Sequence, residues 1–417
     1  MEARHRQTPT RPSSIRDAQL QEVPVMLINP RSLVWLALGV AICVTSATAA
    51  AQEPPARPVQ VGHLELVTGL MGDQPAGVAV SKSGRLFVTF PRHDGDVAFT
   101  VGEVKEGVPV AYPSAELNHA TIERASSALF SVQTLQVDAS DHLWMLDTGT
   151  LQFGQPPVQG APKLIEVDLG SDRVVRIIPI PPEALVGTSA LKDFRLDFHR
   201  GAAGTVFITD SAPGLEALVV LDISSGRALR RLAGSPAVSA QGRTPIVGFE
   251  PLLTSPTQPT GNGHPKPWLV GLNAVELSAD RTTLYFSSFT GRELYSTSAT
   301  DLSNPAAANQ DFRIVDEGNI GMAGHFALDT NHQLYFVDIE RDAIYRRTVD
   351  GRVQVVVTDP RLMWPDTMAI GPDNYLYVTT SQHDRRAEFH HGEELRRKPY
   401  GLFKVFIGFG PVRAAER

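Results

Sequence analysis

Residues 272–288 read LNAVELSADRTTLYFSS, and this stretch decides the fold. Apolar and polar residues alternate in its first part, Asp280 marks a turn, and the last part is rich in aromatic and β-branched residues. Alternation with a period of two, followed by a turn residue and a β-prone segment, predicts two antiparallel strands joined as a hairpin.

The same pattern occurs six times along the chain. The copies are PAGVAVSKSGRLFVTF (75–90), VQTLQVDASDHLWML (132–146), LKDFRLDFHRGAAGTVFIT (191–209), LNAVELSADRTTLYFSS (272–288), AGHFALDTNHQLYFVD (323–338) and PDTMAIGPDNYLYVTT (365–380). Their equivalent residues lie 57, 59, 81, 51 and 42 positions apart and are Ala76, Gln133, Lys192, Asn273, Gly324 and Asp366. A propeller blade of four strands takes roughly 40 to 50 residues, so one blade per copy is expected, with insertions.

The pattern therefore predicts an all-β, six-bladed β-propeller over residues 62–410, followed by a tail at 411–417. The widest gap contains a Pro/Gly-rich stretch at 233–268, which we expect to be a long loop over one face. Residues 63–70 and 400–409 are strand-like and lie outside the six copies, so pairing of the N- and C-terminal strands is expected to close the ring. A β-sandwich and a seven-bladed ring with one degenerate blade are the alternatives.

The N-terminal region has the pattern of an export signal at residues 26–51. Arg31 supplies a positive charge, an apolar run follows, and Ala49 to Ala51 form a small-residue cleavage site. We therefore expect a secreted or periplasmic protein, with 1–25 a spurious extension from an upstream start codon and 52–61 a linker. The apolar run is shorter than the roughly 20 residues that span a bilayer. An uncleaved membrane anchor remains the alternative.

Composition narrows the function classes. The 417-residue chain has a formal net charge of −7, which argues against nucleic-acid binding. Its single cysteine, Cys43, lies within the signal, so the processed protein is expected to have no disulfide and no thiolate nucleophile. We expect a monomer that binds a small molecule and does not stay inserted in a membrane.

Six further segments, in order along residues 63–408, resemble the major royal jelly/yellow protein family. They are RLFVTFPR (85–92), VPVAYPSAELN (108–118), LWMLDTG (143–149), VFITDSAPGLEALVVLDISSGRALRRL (206–232), LYFSSFTGRELYSTSATDL (284–302) and KPYGLFKV (398–405). The resemblance implies a six-bladed, extracellular propeller. Family members include pigmentation proteins, jelly proteins and salivary binders of small amines, and some are credited with dopachrome conversion. This chain lacks the cysteines of the insect members, which favours a bacterial-type relative and puts a role in melanin formation in doubt.

In a propeller the innermost strands deliver side chains to one end of the central channel. The candidate ligand-binding residues are therefore Gln133, Lys192, Asp193, Asn273, His325, Trp364 and Asp366. An ammonium, two amides and a carboxylate among them suit a small polar or anionic molecule. The alternative is that these groups only satisfy one another and channel waters. Trp144, in mid-strand, is expected in the core, whereas Trp364 is expected at the channel.

Metal chemistry is disfavoured at this ring. The chain resembles, more distantly, gluconolactonase-type propellers, whose inner strands hold a divalent metal with a glutamate, two asparagines and an aspartate. Ala76, Lys192 and Gly324 stand at three of those positions, so we expect no metal or other cofactor, although Gln133 and Asp366 leave room for a weaker calcium site. The cluster of His, Asp and Glu residues at 383–391 is interpreted as a solvated loop.

No catalytic residue can be assigned from the sequence. The leading hypothesis is an exported propeller that binds a small molecule in its channel. The alternatives are an enzyme, either a lactonase-like hydrolase or a dopachrome-type tautomerase, and a protein-interaction scaffold that uses the 233–268 loop.

Overall fold

A computed structural model describes residues 62–152, 154–254 and 264–415. The extension, signal and linker expected at 1–61 lie outside the described residues. Within them the structure contains six four-stranded antiparallel sheets, which confirms the six-bladed propeller.

The first three blades are each formed from four consecutive strands. Blade 1 contains β2 (Val78–Val80), β3 (Leu86–Thr89), β4 (Val101–Lys105) and β5 (Val108–Ala111). Blade 2 contains β6 (Val132–Val137), β7 (His142–Asp147), β8 (Lys163–Asp168) and β9 (Arg173–Pro179). Blade 3 contains β10 (Leu191–Asp197), β11 (Thr205–Asp210), β12 (Ala217–Asp222) and β13 (Ala228–Arg231).

Two short hairpins lie in the long connection between blades 3 and 4. The first pairs β14 (Ile246–Val247) with β15 (Glu250–Pro251), and the second pairs β16 (Leu253–Thr254) with β17 (Lys266–Pro267). Blade 4 contains β18 (Leu272–Leu277), β19 (Thr283–Ser288), β20 (Glu293–Ser298) and β21 (Val315–Asn319). Blade 5 contains β22 (Ala323–Leu328), β23 (Leu334–Asp338), β24 (Ala343–Arg347) and β25 (Val353–Thr358).

The ring closes in blade 6, where the two ends of the propeller meet. This blade contains β26 (Pro365–Ile370), β27 (Tyr375–Thr380), β28 (Tyr400–Phe406) and, as its outermost strand, the N-terminal β1 (Leu64–Leu70). β1 pairs antiparallel with β28, with Leu64 opposite Val405 and Leu70 opposite Tyr400. The predicted closure by the terminal strands is confirmed.

Helices are short and lie in connections between strands. The α-helices are α1 (Ala115–Asn118) and α2 (Ala299–Ser303), and the 3₁₀ helices are Ile122–Arg124, Pro182–Ala184, Asn309–Asp311 and His383–Arg385. In the described residues no helix is long and apolar enough to cross a membrane.

The hydrophobic core is divided among the blade interfaces. Each pair of neighbouring blades shares one buried apolar cluster, which gives six clusters around the ring. Middle strands such as β7 are buried on both faces, because a blade packs on either side. Trp144 on β7 is fully buried, as expected.

The aspartates of the repeated turns have a structural role. Asp138 accepts hydrogen bonds from the backbone N–H groups of Ser140 and His142, and its second oxygen accepts from Trp144 Nε1 at 2.9 Å. Asp329 and Asp373 act similarly, accepting from the hydroxyls of Tyr335 and Tyr377. The aspartate thus fixes the turn and the aromatic side chain of the second strand together.

Residues 410–415 cross the end of the channel that lies opposite the candidate ligand-binding residues. Gly410 O and Ala414 O accept from Thr330 N and Ala139 N, and Arg413 Nη2 donates to Val80 O at 2.9 Å. This segment therefore joins blades 5, 1 and 2, and it lines a cavity there. The channel site described below opens toward the opposite face, where the long 233–268 connection ends.

Candidate functional site

The site begins with irregularities in the inner strands. In each of β6, β10, β18, β22 and β26 the pairing with the next strand shifts register at or next to the repeat-equivalent residue. A β-bulge turns a side chain out of the regular alternation. The bulged residues include Gln133, Lys192, Asn273, Gly324 and Asp366, which is why they face the channel.

Threonine hydroxyls join these bulges from blade to blade. Thr89 Oγ1 accepts from Gly77 N at 2.6 Å and donates to Gln133 O in the next blade. Thr209 Oγ1 accepts from Asp193 N at 2.9 Å and donates to Asn273 O at 2.7 Å. Thr379 Oγ1 donates to Ala76 O across the closing interface. The ring of inner strands is therefore held at the level of the site.

All seven candidate residues line one cavity, whose empty space, together with the open solvent at its mouth, is about 570 Å³. We call it the central cavity. It is lined by His93, Gln133, Lys192, Asp193, Trp268, Val270, Asn273, Phe289, Gly324, His325, Trp364, Asp366, Thr367 and His383. Ala76, the equivalent residue of the first copy, is buried and does not line it. That the seven residues bind a ligand stays a prediction.

Aromatic rings form one wall of the central cavity. The Trp268 ring lies 5.9 Å from Trp364 and 5.6 Å from both Phe289 and His383, measured between ring centroids. Trp364 has a φ of 55°, a left-handed conformation that is strained for a bulky residue. Such strain is typical of functional sites.

The Lys192 and Asp366 side chains have pKa values near neutrality. Burial lowers the pKa of the Lys192 ammonium to about 8, although Asp366 and Asp210 act in the opposite direction. Burial raises the pKa of the Asp366 carboxyl to about 6, although Ser381, Lys192 and His325 oppose it. One cation and one carboxyl group of the cavity therefore titrate on either side of pH 7.

The expectation of a solvated loop at 383–391 is wrong for His383 and Arg386, which are only 6% and 7% exposed. Gln74 Oε1 accepts from Arg396, so Gln74 Nε2 donates to His383 Nδ1 at 3.1 Å. Burial and the charge of Arg386 lower the pKa of His383 well below its ordinary value. The sequence shows ionisable residues at this segment but not the packing that buries two of them.

His93 is a second neutral histidine in the cavity wall. Its ring centroid lies 5.5 Å from that of His383, and burial together with Arg386 lowers its pKa to about 3. Sequence reasoning missed His93 and Phe289, assigned His383 to a solvated loop, and put no emphasis on Trp268. None of the four lies on an inner strand. Only Trp268, at the end of the Pro/Gly-rich stretch, and His383, in the cluster of His, Asp and Glu residues, had a signal in the sequence.

The floor of the cavity is a buried ionic network. Arg195 donates to Asp193 at 2.7 Å and pairs with Glu276 at 2.9 Å. Met368 N donates to His325 Nδ1, so His325 Nε2–H points to Asp193 at 3.5 Å. These contacts lower the pKa of the Asp193 carboxyl group, and the charge of Arg195 has a larger effect than His325. Asp193 and His325 thus lie at the cavity, but the Asp193 carboxylate already contacts Arg195 and His325 within this network.

The ring does not fit a divalent metal of the gluconolactonase type. At two of the positions where that resemblance implies metal ligands, Lys192 has an ammonium group and Gly324 has no side-chain oxygen. At a third, Asn273 Nδ2 donates a hydrogen bond to Gly324 O at 2.6 Å. Elsewhere, Asp138, His142 and Glu166 have potential ligand atoms within 4.8 Å of one another, at the opposite end of blade 2. His142 Nδ1 lies 2.6 Å from Glu166 Oε1, so two of these groups are already hydrogen-bonded to each other.

The family model described as "Major royal jelly protein" matches residues 130–394. The chain belongs to this family. Among curated family members, major royal jelly protein 1 of Apis mellifera is 25% identical over 221 residues, which are 51% of this chain and 47% of that protein. L-dopachrome tautomerase yellow-f of Drosophila melanogaster is 33% identical over 116 residues, 26% of either chain.

This royal jelly family member spans about half the length, or less, of the curated relatives it matches. The solved structure of a putative gluconolactonase covers 85% of this chain and 98% of its own, with a TM-score of 0.50 and 10% identity. This structural similarity confirms the expected resemblance in fold to gluconolactonase-type propellers. At 10% identity it shows the fold alone.

Proposed function

We propose that this royal jelly family protein binds a small polar or anionic molecule in its central cavity. The observation that carries the proposal is the Lys192 ammonium in a cavity walled by Trp268, Trp364 and Phe289. A cation in an aromatic-walled cavity is a specific feature of ligand sites, because flat rings supply contact area and one charged group supplies orientation. Gln133 and Asn273 add amide groups that donate and accept hydrogen bonds.

A thermal-shift screen of carboxylates, lactones, sugars, catechols and amines tests the proposal, followed by calorimetric titration of any hit. For a ligand with a carboxylate or carbonyl group, Lys192→Ala is expected to weaken binding by roughly 1.5 to 3 kcal/mol, the usual value of a hydrogen bond to a charged group. Lys398→Ala is the matched control, because Lys398 is exposed and away from the cavity. Equal affinity in wild type and Lys192→Ala would refute this role of the lysine.

A second candidate is tautomerase activity, favoured by the pKa values of Lys192 and Asp366. A tautomerase takes a proton from one atom of its substrate and returns a proton to another, which needs an acid and a base that titrate near neutral pH. The relative named L-dopachrome tautomerase makes L-dopachrome the first compound to assay. Turnover in wild type and none in Asp366→Asn would support this candidate over binding alone.

The third candidate, a protein-interaction scaffold, gains one observation. Phe249 lies at the turn between β14 and β15, with a φ of 70°, and its side chain is fully exposed. An exposed aromatic ring at a hairpin tip is a feature of contact surfaces. Co-purifying proteins that are lost from Phe249→Ser would favour the scaffold.

Export is part of the proposal, because the signal pattern at residues 26–51 and the single cysteine within it agree with a secreted or periplasmic protein. Intact mass of the protein expressed in a bacterial host is expected to place the mature N-terminus at or near Gln52. Recovery of residues 33–44 in the membrane fraction would contradict cleavage.

A further inference from the structure

A second cavity adjoins the central one. This side cavity lies over blades 2 and 3, and its empty space, together with the open solvent at its mouth, is about 950 Å³. It shares His93, Gln133, Lys192, Trp268 and Val270 with the central cavity. Because the same side chains line both, a ligand group held at Lys192 has open space on two sides.

The side cavity contains a carboxylate with an unusual environment. Glu216, in the connection between β11 and β12, is only 7% exposed. It accepts one hydrogen bond, from Gly214 N to Oε1 at 3.2 Å. Among the residues that the structure describes, no lysine, arginine or histidine forms an ion pair with it.

Neighbouring charges do not neutralise Glu216. Arg230, which donates a hydrogen bond to the carbonyl oxygen of the adjacent Leu215, pairs with Asp210 at 2.6 Å. The carboxylates that act on the Lys192 ammonium are Asp366 and Asp210. A buried carboxylate without a cation is costly, and such groups in folded proteins are normally paired or hydrogen-bonded several times.

The backbone opposite makes room for this side chain. A Cβ atom added to Gly271, which also lines the side cavity, would lie 2.4 Å from Glu216 Cγ. Glycine at 271 therefore permits the carboxylate to stand at this point of the wall.

We infer that the side cavity is a second subsite in which Glu216 binds an ammonium group of the ligand, while Lys192 holds the ligand's carboxylate or carbonyl group. This inference rests on the proposed binding function of the central cavity and narrows the ligand to a zwitterionic class. Trp268, which lines both cavities, supplies a ring surface for the apolar part of the ligand. The ligand's ammonium group supplies the positive charge that pairs with the Glu216 carboxylate.

Two probes that differ only in the ammonium group test the inference. L-Tyrosine has an ammonium and a carboxylate, whereas 3-(4-hydroxyphenyl)propionate has the carboxylate alone. By calorimetric titration, Glu216→Gln is expected to weaken the affinity for L-tyrosine about 10- to 100-fold and to leave the affinity for 3-(4-hydroxyphenyl)propionate unchanged. Lys192→Ala is expected to weaken both. Glu183→Gln, at an exposed position, is the control and is expected to change neither.

The melting temperature of the ligand-free protein separates a binding role from a structural one. The glutamine keeps an oxygen for Gly214 N and removes an unpaired buried charge, so Glu216→Gln is expected to melt at the wild-type temperature or above it. A lower melting temperature would show that Glu216 is structural and would overturn the inference.

Unchanged L-tyrosine affinity in Glu216→Gln would also overturn it while leaving the central-cavity function intact. If neither probe binds the wild-type protein, the inference is overturned for aromatic amino acids, and the thermal-shift screen of anions and neutral compounds tests the proposed binding function separately.

Discussion

At the scale of single residues, the central cavity keeps two ionisable groups away from their ordinary behaviour. Burial shifts the pKa of Lys192 downward to about 8 and that of Asp366 upward to about 6. Both shifts favour the neutral forms, because a low-dielectric site disfavours charge. The protein thus accepts a loss of stability at these two positions, which is common where a site is arranged for a ligand.

The Asp366 carboxyl gives a pH dependence of known sign. Its pKa in the folded protein lies above the unfolded value of 3.8, so the folded state binds the proton more tightly. The free energy of unfolding should therefore fall as pH rises from about 4 to about 6, by up to about 3 kcal/mol from this group.

Asp366→Asn should remove that part of the pH dependence. Urea unfolding of both proteins at pH 4, 5, 6 and 7 measures it. Parallel pH curves for the two proteins would mean that burial does not disfavour the ionised form of Asp366.

At the scale of structural elements, the bulges of the inner strands and the threonines of the second strands act together. A bulge leaves backbone groups outside the regular ladder, and a threonine hydroxyl of the neighbouring strand satisfies them. Thr209 shows the arrangement most completely, because it binds Asp193 N within blade 3 and Asn273 O in blade 4. The hydroxyl therefore fixes the backbone on both sides of the candidate ligand groups.

Thr209→Val is expected to destabilise the protein by about 1 to 3 kcal/mol, since it leaves a buried N–H and a buried carbonyl without their partner at nearly constant volume. Thr209→Ser keeps the hydroxyl and should recover most of the loss apart from the methyl group. Denaturant unfolding compares the three proteins. A valine variant as stable as wild type would show that water or backbone movement replaces the hydroxyl.

At the scale of the whole molecule, stability depends on closure of the ring. Each blade buries an apolar face against the next, and β1 completes the last blade across the gap between the chain ends. Without β1, one edge of β28 would lose its hydrogen-bonding partner, and Leu64 and Leu70 would leave the clusters at either face of blade 6.

A protein that begins at Met71 should therefore melt at a clearly lower temperature than one that begins at His63, and it should self-associate through the exposed edge of β28. Differential scanning calorimetry and size-exclusion chromatography compare the two. Identical melting temperatures and a monomeric Met71 form would contradict a closing role for β1. Reductant should affect neither protein, since both lack Cys43, the chain's single cysteine.

The sequence by itself determined the number of blades, the position of the inner strands and seven of the residues around the central cavity. It could do so because each of these follows from a local pattern: alternation, a turn aspartate and a repeat of one segment. Equivalent positions in equivalent strands must come together once the ring is closed. Gln133, Lys192 and Asp366 meet for that reason.

Only the tertiary structure decided the rest of the cavity and its electrostatics. Gln74 meets His383 across 309 residues of sequence, and Trp268 packs against Trp364 from a connection that has no repeat. The burial that shifts the pKa of Lys192 is a property of packing and not of residue order, and so is the position of Glu216, which forms no ion pair among the described residues. Local patterns encode strands, whereas contacts between irregular connections depend on the closed ring that brings them together.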